Sequence, residues 1–183
     1  MEYGLPKKVN IKGVDFEIRY DFRVILEILE ALNDEELEGA EKMECVLKMF
    51  YVDWEHIEDI SEAIEACYRF IDGGKEPTGR KSPRLVDWER DFDYIIAPVN
   101  RVLGYEAREA ASVHWWTFLS AYMEMGGESL MCQIISLRDK LSKGKKLEKH
   151  EREWLRNNRQ LVQLPQKYSA ADEEMLRKMT GGL

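Results

Sequence analysis

A chain of 183 residues, 44% apolar, 34% charged and 10% aromatic, has the length of one globular domain with or without a tail, and its mix excludes collagen-like, low-complexity and disordered classes. Such a chain can bury about 70% of the surface it exposes when unfolded, so a core forms without staples. With 27 basic and 35 acidic residues the net charge is −8, which argues against a protein that mainly coats nucleic acid.

No run of 18 apolar residues is present, so no membrane-spanning helix is expected, and residues 1–6 carry no signal-peptide core. Cys45, Cys67 and Cys132 each fall in an apolar helical pattern and read as reduced core residues of a cytosolic protein. Without Cys-x-x-Cys or paired histidines, zinc is not expected, and no other cofactor is called for.

The first twenty residues alternate: Val9, Ile11, Phe16, Ile18 and Tyr20 are apolar, and Lys12-Gly13 suits a tight turn. This predicts a β-hairpin that must pack on something to be stable. From Asp21 the period becomes helical. Ile25, Ile28, Leu29 and Leu32 define a first helix ended by Asn33-Asp34, and Met43, Val46, Leu47 and Phe50 a second. Ile57, Ile60, Ile64, Cys67, Tyr68 and Ile71 define a third. Residues 27–72 hold 15 acidic and 3 basic residues, a net of −12. Residues 72–84, with three Gly and two Pro, read as a mobile loop.

Trp88, Phe92, Ile95, Ile96, Val99 and Leu103 line a fourth helix that Gly104 closes, and Pro98 predicts a kink or break near Ile95–Ala97. A fifth helix is expected from about Ala107 to Met125, apolar all round and therefore central. His114, Trp115, Trp116 and Phe118 on it, with Trp88 and Phe92, are assigned to the structural core. A sixth spans about 128–142. Residues 138–183 hold 12 basic and 7 acidic residues, and Ser169 to Asp172 can start a short last helix. The expected architecture is mainly α. It is a compact helical bundle of about 7–8 helices with a short N-terminal β-hairpin, comprising a body (1–142) and a basic, projecting helical C-terminal arm (143–183).

Chemistry-bearing patterns are few. No phosphate-binding glycine loop occurs. His114 beside two tryptophans has a catalytic-base reading and a core reading, and the core reading is preferred because no partner motif accompanies it. Asp87, Glu89, Asp91 and Asp93 are the best enzyme candidate, since Asp87 and Asp91 lie one turn apart and suit a shared divalent cation. The same residues also serve as a solvated helix face paired with Arg84, Arg90 and Arg101, which is preferred, so no metal site is assigned. Lys143, Lys145, Lys146, Lys149, Arg152, Arg156 and Arg159 form a basic run around Trp154, interrupted by Glu148, Glu151 and Glu153. A phosphate-binding reading competes with docking onto an acidic protein surface, either an external partner or the acidic half of a second copy; nucleic acid is the less favoured.

Several elements together resemble the bacteriophage gene-product-fifteen family. They are Asp21-Phe22-Arg23, Asp87-x3-Asp91-Phe-Asp93-Tyr-Ile-Ile-Ala97, Gly104-Tyr105, His114-Trp115-Trp116-Thr-Phe118, Ile134-Ile-Ser-Leu-Arg138 and the basic tail. The resemblance implies a tail-morphogenesis protein of a long-tailed phage of Gram-positive hosts, or of a prophage. It implies a tail assembly chaperone that coats the tape measure protein, recruits tail-tube subunits and then leaves. Such a protein acts in the host bacterial cytoplasm and is absent from the mature virion. No catalytic residue is implied. A structural virion component, such as a connector or tail-completion protein, is the alternative, and a metal-dependent enzyme at Asp87–Asp93 a more distant one. Capture of a helical client calls for an apolar groove, for which Met43, Met49, Phe50 and Tyr51 are candidates, although core packing explains them equally.

Overall fold

The computed structural model describes residues 4–75 and 83–164. Most of the expected 72–84 loop, residues 76–82, lies outside them, as does the last helix expected after Ser169.

The chain first reverses at Lys12-Gly13, both at positive φ (48° and 88°), the twist that a two-residue hairpin turn requires. β1 (Lys8–Ile11) and β2 (Val14–Glu17) pair from Lys8↔Glu17 to Ile11↔Val14. The hairpin leans on the body, with Ile11 and Ile18 in the core. Beyond β2, Ile18 bridges to Tyr51, the Arg19 N–H donates to the Phe50 carbonyl (2.7 Å) and Val52 N–H to the Glu17 carbonyl (3.1 Å).

Three helices of equal length follow: α1 (Phe22–Asn33), α2 (Gly39–Phe50) and α3 (Ile60–Ile71), with a single 3₁₀ turn at Trp54–His56. Their starts are chemically marked. Asp21 accepts from Arg23 N–H, Glu41 from Glu38 N–H and Asp59 from Glu62 N–H, satisfying orphan donors of each first turn. α4 (Trp88–Leu103) ends at Gly104, whose φ of 78° is the left-handed C-cap expected from sequence. The break expected near Ile95–Ala97 is absent, and α4 runs unbroken through Pro98. Proline removes only the bond to the Tyr94 carbonyl, and burial of Pro98 with Ile95, Ile96 and Val99 holds the turn together.

α5 (Trp115–Met123) is shorter than expected. Residues 105–114 are not helical because their backbone is engaged elsewhere. Phe22 N–H donates to the Val113 carbonyl (3.0 Å), Val113 N–H to Asp21 Oδ2 (2.9 Å) and Trp115 N–H to the Tyr20 carbonyl (2.7 Å). The helix is also less enclosed than an all-apolar circumference implies: Trp115, Phe118 and Ala121 are buried, and Met123 is exposed.

α6 (Leu130–Ser142), α7 (Lys149–Asn157) and the one-turn α8 (Arg159–Val162) complete the described chain. The projecting arm is thereby corrected up to residue 164. Lys140 pairs with Glu151 (2.5 Å), Val162 is 2% exposed, and the Gln160 carbonyl accepts from Arg90, so the segment folds back on α4 and α6. The described residues form eight α-helices and one hairpin, 58% helical, and the fold is mainly α as expected. Phe22 and Phe118 stack at 4.5 Å at the centre of the core.

Candidate functional site

Among the described residues, an open groove of about 820 Å³ lies between α1 and the N-terminal half of α4. The α1 wall carries Phe22, Leu26 and Leu29, spaced i, i+4, i+7 and therefore on one helical stripe; the facing wall carries Val86, Trp88 and Phe92. Apart from Phe22, all are half-buried. Trp88 is steadied from behind by an edge-on contact with Trp115 (5.8 Å) and a tilted one with Tyr122 (5.0 Å).

The groove's rim is acidic. Three arginines line it, and each is already committed: Arg23 to Asp21, Arg84 to Asp87 (2.6 Å) and Arg108 to Glu106 (2.8 Å). Hydrogen bonds, from Arg108 first and then Asn100, hold the Glu106 carboxyl down at about 2. Glu27, Glu30, Glu35 and Glu89 are exposed, with no ion-pair partner among the described residues, and Asp34 accepts only from Glu36 N–H. The free charge around an apolar floor is thus negative.

The residues that drew attention in the sequence occupy two internal clamps. In the first, Asp21 caps α1 and accepts from Val113 N–H, while Arg23 donates to the carbonyls of Ala107 (3.0 Å), Arg108 (3.1 Å) and Ala110 (2.7 Å). His114, 7% exposed and stacked on Tyr20, closes the same junction. Its Nδ1 accepts from Trp116 N–H (3.0 Å), which leaves Nε2–H to donate to the Pro6 carbonyl (2.8 Å). Burial pushes its pKa below the usual histidine value. The neutral ring acts as a helix cap, with neither nitrogen open to substrate.

In the second clamp Arg138 and Asp91 form a buried pair, with side chains 3% and 2% exposed. Arg138 Nη1 and Nη2 meet the two carboxylate oxygens at 2.5 and 3.0 Å. The same guanidinium donates to the carbonyls of Leu85 (2.9 Å), Leu161 (2.7 Å) and Val162 (2.9 Å). It ties the entry to α4, α4 itself, α6 and α8 into one knot.

This arrangement decides how the acidic cluster is used. Asp91 serves Arg138 and the Asp87 N–H, Asp87 caps α4 and pairs with Arg84, and Glu89 and Asp93 point to solvent. No group of three metal-ligating side chains converges among the described residues.

The apolar groove expected at Met43, Met49, Phe50 and Tyr51 is not there. Phe50 and Tyr51 are fully buried, because the Ile18–Tyr51 bridge draws the hairpin over them and Tyr51 OH donates to the Ala63 carbonyl (2.8 Å). Met43 and Met49 are half-buried against the same core. Among the residues assigned to the core, Trp115 (1% exposed) and Phe118 (0%) are enclosed, and Trp116 is half-buried on Phe70. Trp88 and Phe92 line the groove instead. In the basic run, Lys143 pairs with Asp139 (2.5 Å). Lys145, Lys146, Lys149, Arg152, Arg156 and Arg159 are exposed, and 149, 152 and 156 share one stripe of α7.

A helical scaffold built around an open apolar groove, with His114, Asp87 and Asp91 engaged internally, is the class of protein these features define. The family model for the bacteriophage Gp15 protein matches residues 1–164, and the chain belongs to that family. It is accordingly a phage structural or morphogenesis protein, of a family not known for enzymatic activity. No curated protein and no solved structure matches it.

Proposed function

We propose that this protein is a tail assembly chaperone, which binds the tape measure protein in the host cytoplasm, recruits tail-tube subunits and is left out of the finished particle. The observation that carries the reading is the open groove between α1 and α4, whose apolar lining of Phe22, Leu26, Leu29, Val86, Trp88 and Phe92 suits the apolar face of an amphipathic helix. Membership of the Gp15 family supports it by restricting the setting to phage morphogenesis. The basic stripe Lys149, Arg152 and Arg156, with Lys145 and Lys146 beside it, is a second surface of opposite charge. It suits a tube subunit or the acidic face of a further copy.

Co-expression with the tape measure protein of the same phage, followed by affinity capture, tests the reading. The expected result is a soluble complex, a tape measure protein that aggregates when expressed alone, and purified virions that lack this chain by mass spectrometry. Stoichiometric amounts of the chain in virions would replace the chaperone reading with that of a connector or tail-completion component.

A further inference from the structure

We infer that the occupant of the α1–α4 groove is a partner helix whose apolar stripe is flanked by lysine or arginine, so that charge, and not apolar area alone, selects it. The inference rests on the groove being the client site proposed above.

The groove alone would accept any amphipathic helix. Its rim is more selective. The three arginines that line it are each held by an internal carboxylate, so they offer no free positive charge to a ligand. The carboxylates are not balanced in the same way. Glu27 and Glu30 rise from the α1 wall beside Leu26 and Leu29, Glu35 follows the end of α1, and Glu89 stands on the facing wall. All four are exposed and without an ion-pair partner among the described residues.

A helix lying between these walls presents residues on both flanks of its apolar stripe to them. Cations on those flanks would meet Glu27 and Glu30 on one side and Glu89 on the other. The C-terminal end of α1 adds its own partial negative charge where Asp34 and Glu35 sit, so that end of the groove is the most attractive to a cation. An acidic helix of equal hydrophobicity would bring like charges together along its length, and it is rejected for that reason.

The test uses two labelled synthetic helical peptides with identical leucine stripes, one flanked by lysines and the other by glutamates. Binding to the full chain is followed by fluorescence anisotropy. The lysine peptide should bind, and the glutamate peptide should bind at least tenfold more weakly. Single Glu27→Gln or Glu30→Gln changes should weaken the lysine peptide by about twofold to fivefold, the weight of one exposed ion pair, and the double change Glu27→Lys with Glu30→Lys should weaken it further. Unchanged melting curves confirm that these exposed substitutions leave the fold intact. Equal affinity for the two peptides, no binding of either, or indifference to the α1 substitutions would overturn the inference.

Two other occupants have their own signatures, and either would also overturn it. If the full-chain variant Met175→Ser, Leu176→Ser, Met179→Ser binds the lysine peptide several-fold more tightly, the chain's own C-terminal segment holds the groove. If the α1 charge reversals dissolve an oligomer in sedimentation, a second copy does. Capture of the tape measure protein that ignores Glu27→Lys with Glu30→Lys sinks this inference and leaves the chaperone reading standing. Lysine-peptide binding without tape measure capture does the reverse.

Discussion

Replacing Arg138 with Met is the sharpest probe of what holds this molecule together. The guanidinium makes five hydrogen bonds, two to Asp91 and one each to the carbonyls of Leu85, Leu161 and Val162. Methionine fills similar volume but donates nothing. Asp91, 1% exposed, would keep a buried charge whose only remaining donor is the Asp87 N–H. Breaking a buried pair from one side typically costs about 3–5 kcal/mol, because the partner's desolvation is no longer compensated. In a domain of this size that corresponds to a fall of about 6–20 °C in Tm. Urea denaturation followed by circular dichroism measures the free energy, and amide exchange at residues 159–162 reports whether α8 lifts away. The double change Arg138→Met with Asp91→Leu should recover much of the loss, since the stranded charge is gone. A single variant that loses less than about 1 kcal/mol, the range of an exposed pair, would refute the reasoning.

Trp115→Ala should cost about 3–5 kcal/mol, since the ring is 1% exposed and its Nε1–H donates to the Ile71 carbonyl at 2.8 Å; a melting curve checks it. His114 is neutral in the fold with a lowered pKa, so its contribution is complete above the ordinary histidine value of 6.5 and is lost as pH falls from there through the lowered one. Tm should therefore drop between pH 7.5 and pH 5.5 by more in the wild type than in His114→Asn, whose amide can still cap α5 but does not titrate. A chain ending at Ser142 loses the Leu161 and Val162 carbonyls from Arg138 and should melt lower than one ending at Leu164, as differential scanning calorimetry would record.

The elements that local chemistry specifies were legible in the sequence. The Lys12-Gly13 turn, the Asp21 cap and the Gly104 stop depend on one or two residues each, and all stand where the sequence puts them. What the sequence misplaced is set by contacts between distant segments. Residues 106–111, Glu-Ala-Arg-Glu-Ala-Ala, are good helix formers by composition, yet Asp21 and Arg23, more than 80 positions away, claim their backbone and that of Val113. Phe50 and Tyr51 looked like groove residues because nothing local reveals that the hairpin covers them.

Two further features of the sequence bear on the groove and on the buried clamp. Phe22, Leu26 and Leu29 form a second apolar stripe on α1 beside the Ile25–Ile28 one, and a helix with two such stripes has more apolar surface than a single core contact covers. Arg138 falls on the same face of α6 as Met131 and Ile134, at i+7 and i+4, so its charge was aimed inward from the start. Neither its place at the head of the basic segment 138–183 nor its place in the family pattern reveals by itself that the side chain is buried.

The residues on which the family resemblance rests are mostly these inward ones. Asp21, Phe22 and Arg23 secure the junction before α5, His114 caps it, Phe118 stacks beneath it, and Asp91 and Arg138 close the other end. A shared pattern at such positions reports a shared scaffold and says little about the partner. The rim residues Glu27, Glu30, Glu35 and Glu89 lie outside the quoted pattern, and their energetics are of a different order. An exposed pair between one of them and a partner's cation would contribute about 0.2–1 kcal/mol, against about 3–5 kcal/mol for breaking the buried clamp. Substitution at the clamp therefore removes a large part of the fold's stability, whereas substitution at the rim shifts affinity for a partner by small steps. A protein divided in this way can keep its framework fixed while the proposed client groove is retuned, one carboxylate at a time.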